Sequence, residues 1–219
     1  ARANIFASEL SVSSDENTYS LKFTLNENAT GVEAIISNAE GVVKTISGGA
    51  MNKGVQSLSI AKSDLPEGTY SWSIKAVADP VDRPVKISDD AKPQMQFFSP
   101  RGVAVDNSFN SPYFGRVYAT ETAPGAVTGR TTKDGVYILN AALEDVTSQG
   151  AASYAGGITW AGGSSPMRLS VAEDGRVFIN DWSGAHPGVW VMDPANPSSS
   201  FVPVFSGLTK RSEEHTSEL

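Results

Sequence analysis

The chain has no cysteine among its 219 residues. That excludes disulfides, thiolate metal sites and cysteine nucleophiles, and leaves the redox compartment open. It has no basic cluster and carries a formal charge of −7, so it lacks the electrostatic footprint of a nucleic-acid or anionic-membrane binder. No apolar run approaches the roughly 18 residues that a membrane-spanning helix needs. No stretch has the period of a long amphipathic helix, and neither a phosphate-cradling glycine loop nor a nucleophile elbow is present. What remains is an ordinary globular composition with frequent turns: 40% hydrophobic residues, 20 glycines and 12 prolines.

Short apolar or alternating runs separated by Gly, Asn, Asp and Pro predict an all-β chain. Between residues 4 and 78 the expected strands are Leu10–Val12, Tyr19–Leu25, Gly31–Ser37, Val42–Ile46, Gln56–Ile60 and Tyr70–Val77. In the second of these, Tyr19, Leu21, Phe23 and Leu25 alternate with Ser20, Lys22 and Thr24, so one face meets a core and the other meets water. Gly41 after Asn38-Ala-Glu supplies the residue that a hairpin needs at positive φ, and Leu65-Pro-Glu-Gly68 reads as a tight turn. Trp72 and Tyr70 are expected in the core of a sandwich, where large aromatics carry much of the burial.

The run Tyr19-Ser-Leu-Lys-Phe-Thr-Leu-Asn-Glu-Asn-Ala-Thr30, then Val42-Val-Lys-Thr-Ile46 and Leu65-Pro-Glu-Gly-Thr-Tyr-Ser-Trp72, resembles the immunoglobulin-like module of bacterial flagellar hook-cap (FlgD-type) proteins and of many exported proteins. Ile60-Ala-Lys-Ser-Asp64 stands where that module usually has Trp-Asp-Gly. The resemblance implies an immunoglobulin-like β-sandwich over residues 1–80 that acts as a spacer or adhesive unit. Residues 81–93, which open on Val81-Asp-Arg-Pro84, read as a semi-rigid linker.

Beyond the linker the sequence repeats itself. Ser99-Pro-Arg-Gly-Val-Ala-Val-Asp106 returns as Ser165-Pro-Met-Arg-Leu-Ser-Val-Ala172, Gly115-Arg-Val-Tyr-Ala-Thr-Glu121 as Gly175-Arg-Val-Phe-Ile-Asn-Asp181, and Gly135-Val-Tyr-Ile-Leu-Asn140 as Gly188-Val-Trp-Val-Met-Asp193. Three strands in fixed order, with a fourth expected near Ile158–Trp160 and again at Phe201–Phe205, make a four-stranded unit of the kind that forms a propeller blade. Gln94–Phe98 is expected to be an outer strand that completes a different blade, and residues 122–133 to be a loop. Continuous apolar strands such as Val136–Leu139 and Val189–Met192 suit sheets covered on both faces. Pro100-Arg-Gly-Val-Ala-Val-Asp106 followed by Gly115-Arg-Val-Tyr-Ala-Thr-Glu121 resembles NHL-type propellers, which implies that residues 94–210 are a truncated β-propeller of about two blades and a closing strand.

The last nine residues, Arg211-Ser-Glu-Glu-His-Thr-Ser-Glu-Leu219, resemble a sequencing adapter read in frame. They are expected to be a non-native tail, with Lys210 the last natural residue of a chain that continued. Because the tail carries one Arg and three Glu, the rest of the chain stands at −5.

Candidate chemistry is concentrated at two strand ends. Glu121 and Asp181 occupy equivalent repeat positions, and Asp181-Trp-Ser-Gly-Ala-His-Pro-Gly188 adds an aromatic platform, Trp182, and an imidazole, His186. These four are the expected binding residues. Each also has a plainer reading: a strand-ending acid bonds the following turn, and a lone histidine without a partner sits in a turn or in solvent. In sugar-lactonase-like propellers, acids and Asn from several blades converge on a divalent cation, and that resemblance implies Glu121, Asn180 and Asp181 as oxygen ligands. Arg116 and Arg176 recur after the strand-opening glycines, which predicts one structural role repeated in each blade. The expected function is a non-enzymatic exported scaffold, placed extracellularly, in the periplasm or at the cell surface, without a cofactor, presenting propeller loops to a protein or carbohydrate partner. The alternative is a propeller hydrolase or lactonase with Ca2+ or another divalent cation at the ring centre. The chain starts at Ala1 without methionine, as is expected where a signal peptide has been cut away or was never included in the sequence.

Overall fold

The computed structural model describes residues 5–80, 86, 88–127, 130–146, 158–161, 163–198 and 200–206. Among them every regular element is a strand apart from two single-turn 3-10 helices. The tail 211–219 and residues 81–85 of the expected linker lie outside the described residues.

The six strands expected in the front part all form: β1 (Ala7–Ser14), β2 (Thr18–Leu25), β3 (Ala29–Asn38), β4 (Gly41–Met51), β5 (Gly54–Ala61) and β6 (Ser71–Val77). They make two antiparallel three-stranded sheets, β1-β2-β5 and β4-β3-β6. Alternation on β2 buries Leu21, Phe23 and Leu25, while β3 buries Val32, Ala34 and Ile36 into the same sandwich. Full burial of each large side chain stabilises the fold by about 1.5–3 kcal/mol. Trp72 and Tyr70 pack against this core as expected, and the Tyr70 hydroxyl donates to the Pro66 carbonyl at 2.6 Å, fixing the turn that precedes β6. Gly41 adopts φ +132° at the β3–β4 turn, a conformation that L side chains resist. The β1–β2 register slips between Ser8 and Ser11, where Glu9 holds φ +54° in a bulge.

The rear part forms β7 (Pro100–Val105), β8 (Val117–Glu121), β9 (Gly125–Val127), β10 (Arg130–Thr132), β11 (Gly135–Leu139), β12 (Arg168–Val171), β13 (Val177–Asp181), β14 (Gly188–Met192) and β15 (Val202–Ser206). One sheet runs β11-β8-β7, the second is the consecutive meander β12-β13-β14-β15, and β9 and β10 form a separate hairpin. The six repeated strands form where the repeat placed them, as β7, β8 and β11 and again as β12, β13 and β14, and β15 forms near the expected Phe201–Phe205. The two sheets stack over one core that holds Tyr118, Val136 and Ile138 of the first and Val177, Ile179, Trp190 and Met192 of the second. They converge at their first strands. A Cβ on Gly102 would lie 3.0 Å from the Arg168 Cα and 3.1 Å from the Met167 carbonyl oxygen, so only glycine allows β7 this close to β12. The Thr120 hydroxyl reinforces the contact by donating to the Met167 carbonyl at 2.9 Å.

Three expectations fail. Gln94–Phe98 is not a strand: Pro93–Met95 is a 3-10 turn, and the amides of Phe98 and Ser99 donate to the Glu121 carboxylate at 2.8 and 2.6 Å, so they are spent before any ladder can use them. Ile158–Trp160 is not a strand either, and Trp160 serves as core filler, edge-on to Phe201 at 5.4 Å. Residues 122–133, read as a loop, contain the β9–β10 hairpin.

Front and rear parts touch. Phe6 packs edge-on to Phe114 at 4.8 Å, and Arg116 Nε donates to Glu9 Oε1 at 2.6 Å. The Arg116 guanidinium also lies over the Tyr113 ring at 4.4 Å and donates to the Pro194 carbonyl at 3.5 Å. One side chain thus links the sandwich to both rear sheets. Arg176 does something else: it pairs locally with Asp174 at 2.7 Å. The expected common role for the two arginines is therefore corrected, because the residues facing them differ.

Candidate functional site

Each candidate side chain sits at the end of β8 or β13 or in the loop that follows β13. Glu121 closes β8 opposite Gly135 and Pro100 and is fully buried. Both of its oxygens accept backbone N–H groups, Oε2 from Phe98 and Oε1 from Ser99. It is a tether for the segment entering β7, and its charge is matched by the two amides.

Asp181, its repeat equivalent, is 2% exposed and one methylene shorter. Its Oδ1 accepts the Ser183 amide at 2.6 Å, while Oδ2 has no hydrogen-bond partner among the described residues. A buried acceptor left unpaired costs about 1–3 kcal/mol. The residue therefore does part of the work of Glu121, bonding the turn after it but not the segment before its sheet.

Asn180 is exposed whereas Asp181 is buried, because successive side chains on a strand point to opposite faces. The two are not brought together as ligands. Among the described residues no three His, Asp or Glu side chains converge, and Glu121 is already satisfied by backbone donors. The donor set Glu121, Asn180 and Asp181 does not fit a divalent cation. Asn180 instead lines an open cleft of about 290 Å3 with Arg168, Ser170, Phe178 and Val189, on the face of the second sheet that turns away from the shared core.

The loop from Asp181 to Gly188 is built stiffly. The Ser183 amide donates to Asp181, the His186 amide donates to the Ser183 hydroxyl at 3.1 Å, and Trp190 Nε1 donates to the His186 carbonyl at 3.2 Å. The His186 ring stands edge-on to Trp190 at 6.3 Å. These contacts hold the loop to β14 and leave Trp182 66% exposed. Of the four expected binding residues, Trp182 is exposed and His186 half-buried, Asp181 braces their loop through the Ser183 amide, and Glu121 serves the segment entering β7 instead.

Titration elsewhere follows simple causes. Burial pushes the Tyr118 hydroxyl up, opposed by the neighbouring Arg116 guanidinium, so this phenol stays protonated. Sequence reasoning missed the Glu9–Arg116 pair and the Arg168–Phe178 cleft. The cleft had a signal, the polar–apolar alternation of Arg168-Leu-Ser-Val171; the pair had none, since its members lie 107 residues apart.

Residues 7–79 match the family model described as FlgD Ig-like domain, a span that includes β1 to β6. No curated protein and no solved structure matches the chain. Among the described residues no helix is long and apolar enough to cross a membrane.

Proposed function

We propose that the chain is a non-enzymatic binding scaffold in which an immunoglobulin-like spacer carries two propeller-type blades and the loop Asp181–Gly188 meets the ligand. The reading of the rear sheets as consecutive NHL-like blades rests on the repeated strands, the meander β12 to β15 and the convergence of β7 on β12. The observation that carries the function is Trp182, a large aromatic left exposed on a loop braced from behind. A rigid indole with an apolar face and a polar edge suits stacking on a sugar ring or anchoring a protein partner at low entropic cost. The match of residues 7–79 to the FlgD Ig-like domain supports an exported location.

Trp182 is the exposed member of a set in which Trp160 and Trp190 are buried, so its fluorescence reports on the loop. Titration of the full chain with neutral and acidic oligosaccharides is expected to shift that emission, and Trp182→Ala to weaken binding tenfold or more. Binding unchanged in Trp182→Ala overturns the loop assignment, and silence towards every saccharide removes carbohydrate as the ligand class.

The alternative, a cation-dependent propeller hydrolase, has only the unpaired, buried Oδ2 of Asp181 behind it, because Glu121 and Asn180 do not join it as ligands. Calorimetric titration of Ca2+ into the full chain tests it, and absence of heat counts against it.

A further inference from the structure

The two rear sheets stack the same way round. In the first sheet, Gly102, Tyr118, Thr120, Val136 and Ile138 face the second. By the sequence repeat their counterparts are Arg168, Phe178, Asn180, Val189 and Val191, and these lie on the outward face of the second sheet. Conversely, Leu169 and Val171, which cover the first sheet, correspond to Val103 and Val105, which are 69% and 49% exposed on the first sheet's own outward face. The stack is therefore front to back, and it ends in a socket on the second sheet and a plug on the first.

The plug keeps the apolar character of the interface that is already made, and the socket keeps it at Phe178, Val189 and Val191 while Arg168, Ser170 and Asn180 rim it with polar groups. Cross-strand pairing sets Phe205 beside Val189 and Val202 beside Val191, so the socket widens into an apolar strip on β14 and β15 with Phe205 62% exposed. Such contiguous exposed apolar surface marks an interaction site. The plug and socket are sequence-related to the two faces that mate within the chain.

We propose that the occupant of the socket is a second copy of this chain, which inserts the Val103/Val105 face of its first sheet onto the Phe178/Val189/Phe205 face of the second sheet. The contact is heterologous, so copies add head to tail. Arg168 stands where Gly102 stands in the interface within the chain, and because it carries a side chain where Gly102 has none, the incoming β7 seats farther from β12 than the two strands lie within one chain. The association is accordingly weaker than the intramolecular stack and reversible. It does not depend on what the Asp181–Gly188 loop binds, so its failure and the failure of that assignment are separate results.

Sedimentation velocity of the full chain over a wide concentration range tests the proposal, with Val103→Glu spoiling the plug and Phe205→Glu spoiling the socket. Both side chains are exposed, and Val105→Glu and Val202→Glu form a second pair should either variant fail to fold. The wild type is expected to form dimers and longer species as concentration rises, and each variant alone to associate at least tenfold more weakly. Mixed together, the two variants are expected to form a 1:1 dimer that grows no further, because one intact plug meets one intact socket. A wild type that stays monomeric, a variant that assembles like the wild type, or a mixture that remains monomeric overturns the proposal.

Discussion

The front and rear parts of the chain solve the same burial problem in different ways. In the sandwich, β1-β2-β5 and β4-β3-β6 each turn one apolar face inward, and those two faces satisfy each other. In the rear part each sheet has apolar residues on both faces: stacking covers one, and on the outward face of the first sheet Tyr137 and Leu139 of β11 are buried while Val103 and Val105 of β7 stay exposed. The strand β11 is buried at every position whereas β6 alternates. Two-sheet pairing is a closed arrangement; front-to-back stacking is an open one that always presents another surface.

The largest effects are expected in the two cores. Phe23→Ala removes a ring from the sandwich core and Ile179→Ala removes side-chain volume from the shared rear core, with losses of about 3–5 and 2–5 kcal/mol. If the two parts bury their cores separately, urea unfolding followed by tryptophan emission shows each variant displacing its own transition. A single transition displaced equally by both variants says that the chain unfolds as one unit.

Loss of Arg116 has the next largest expected effect. Its side chain is 13% exposed and that of Glu9 20%, a setting between a surface pair and a fully buried one, so Arg116→Ala is expected to cost about 1–3 kcal/mol. Because the guanidinium also reaches Pro194, the loss should appear as earlier unfolding of the rear sheets and a wider separation of the two transitions. Arg176→Ala, which removes an exposed local pair with Asp174 and a long contact of 5.9 Å over the Phe178 ring, is the control and should move both transitions little.

The smallest effect is one of acid response. The Thr18 hydroxyl, then the amides of Asn17 and Thr18, hold the Asp15 carboxyl of the front part below its ordinary value of 3.8. Its contribution is present above that value and lost as pH falls through the lowered one. Burial holds the Asp134 carboxyl of the rear part above 3.8, so its contribution is complete below 3.8 and lost as pH rises through the raised value. Melting curves taken from neutral pH into acid should find Asp15→Asn flattening the acid loss of the front transition. Asp134→Asn should instead raise the rear transition near neutral pH and change it little in acid.

Much of this fold could be read from local pattern. The alternation of Tyr19, Leu21, Phe23 and Leu25 specified a sandwich strand because its period is that of the pleat, and the repeated Gly-Arg-Val and Gly-Val motifs located β8, β13, β11 and β14. Gln94–Phe98 misled because its apolar residues suit a strand while its outcome was decided by a carboxylate more than twenty positions away at Glu121. The β9–β10 hairpin escaped because Gly125-Ala-Val127 is too short for any periodicity to register. At the candidate site, the equivalence of Glu121 and Asp181 was legible from the repeat, but which oxygen finds a donor depends on a single methylene and on folded geometry. Exposure of Trp182 likewise follows from the three hydrogen bonds that pin the loop behind it.

The bulge at Glu9 has an effect beyond the carboxylate it delivers. β1 is an outer strand of its sheet, and an outer strand with an unbroken row of free amides and carbonyls invites extension into a fibre. A left-handed residue midway along it interrupts that row, so a foreign strand laid alongside would fall out of step after a few residues. Growth of the protein by ladder pairing is blocked at this rim.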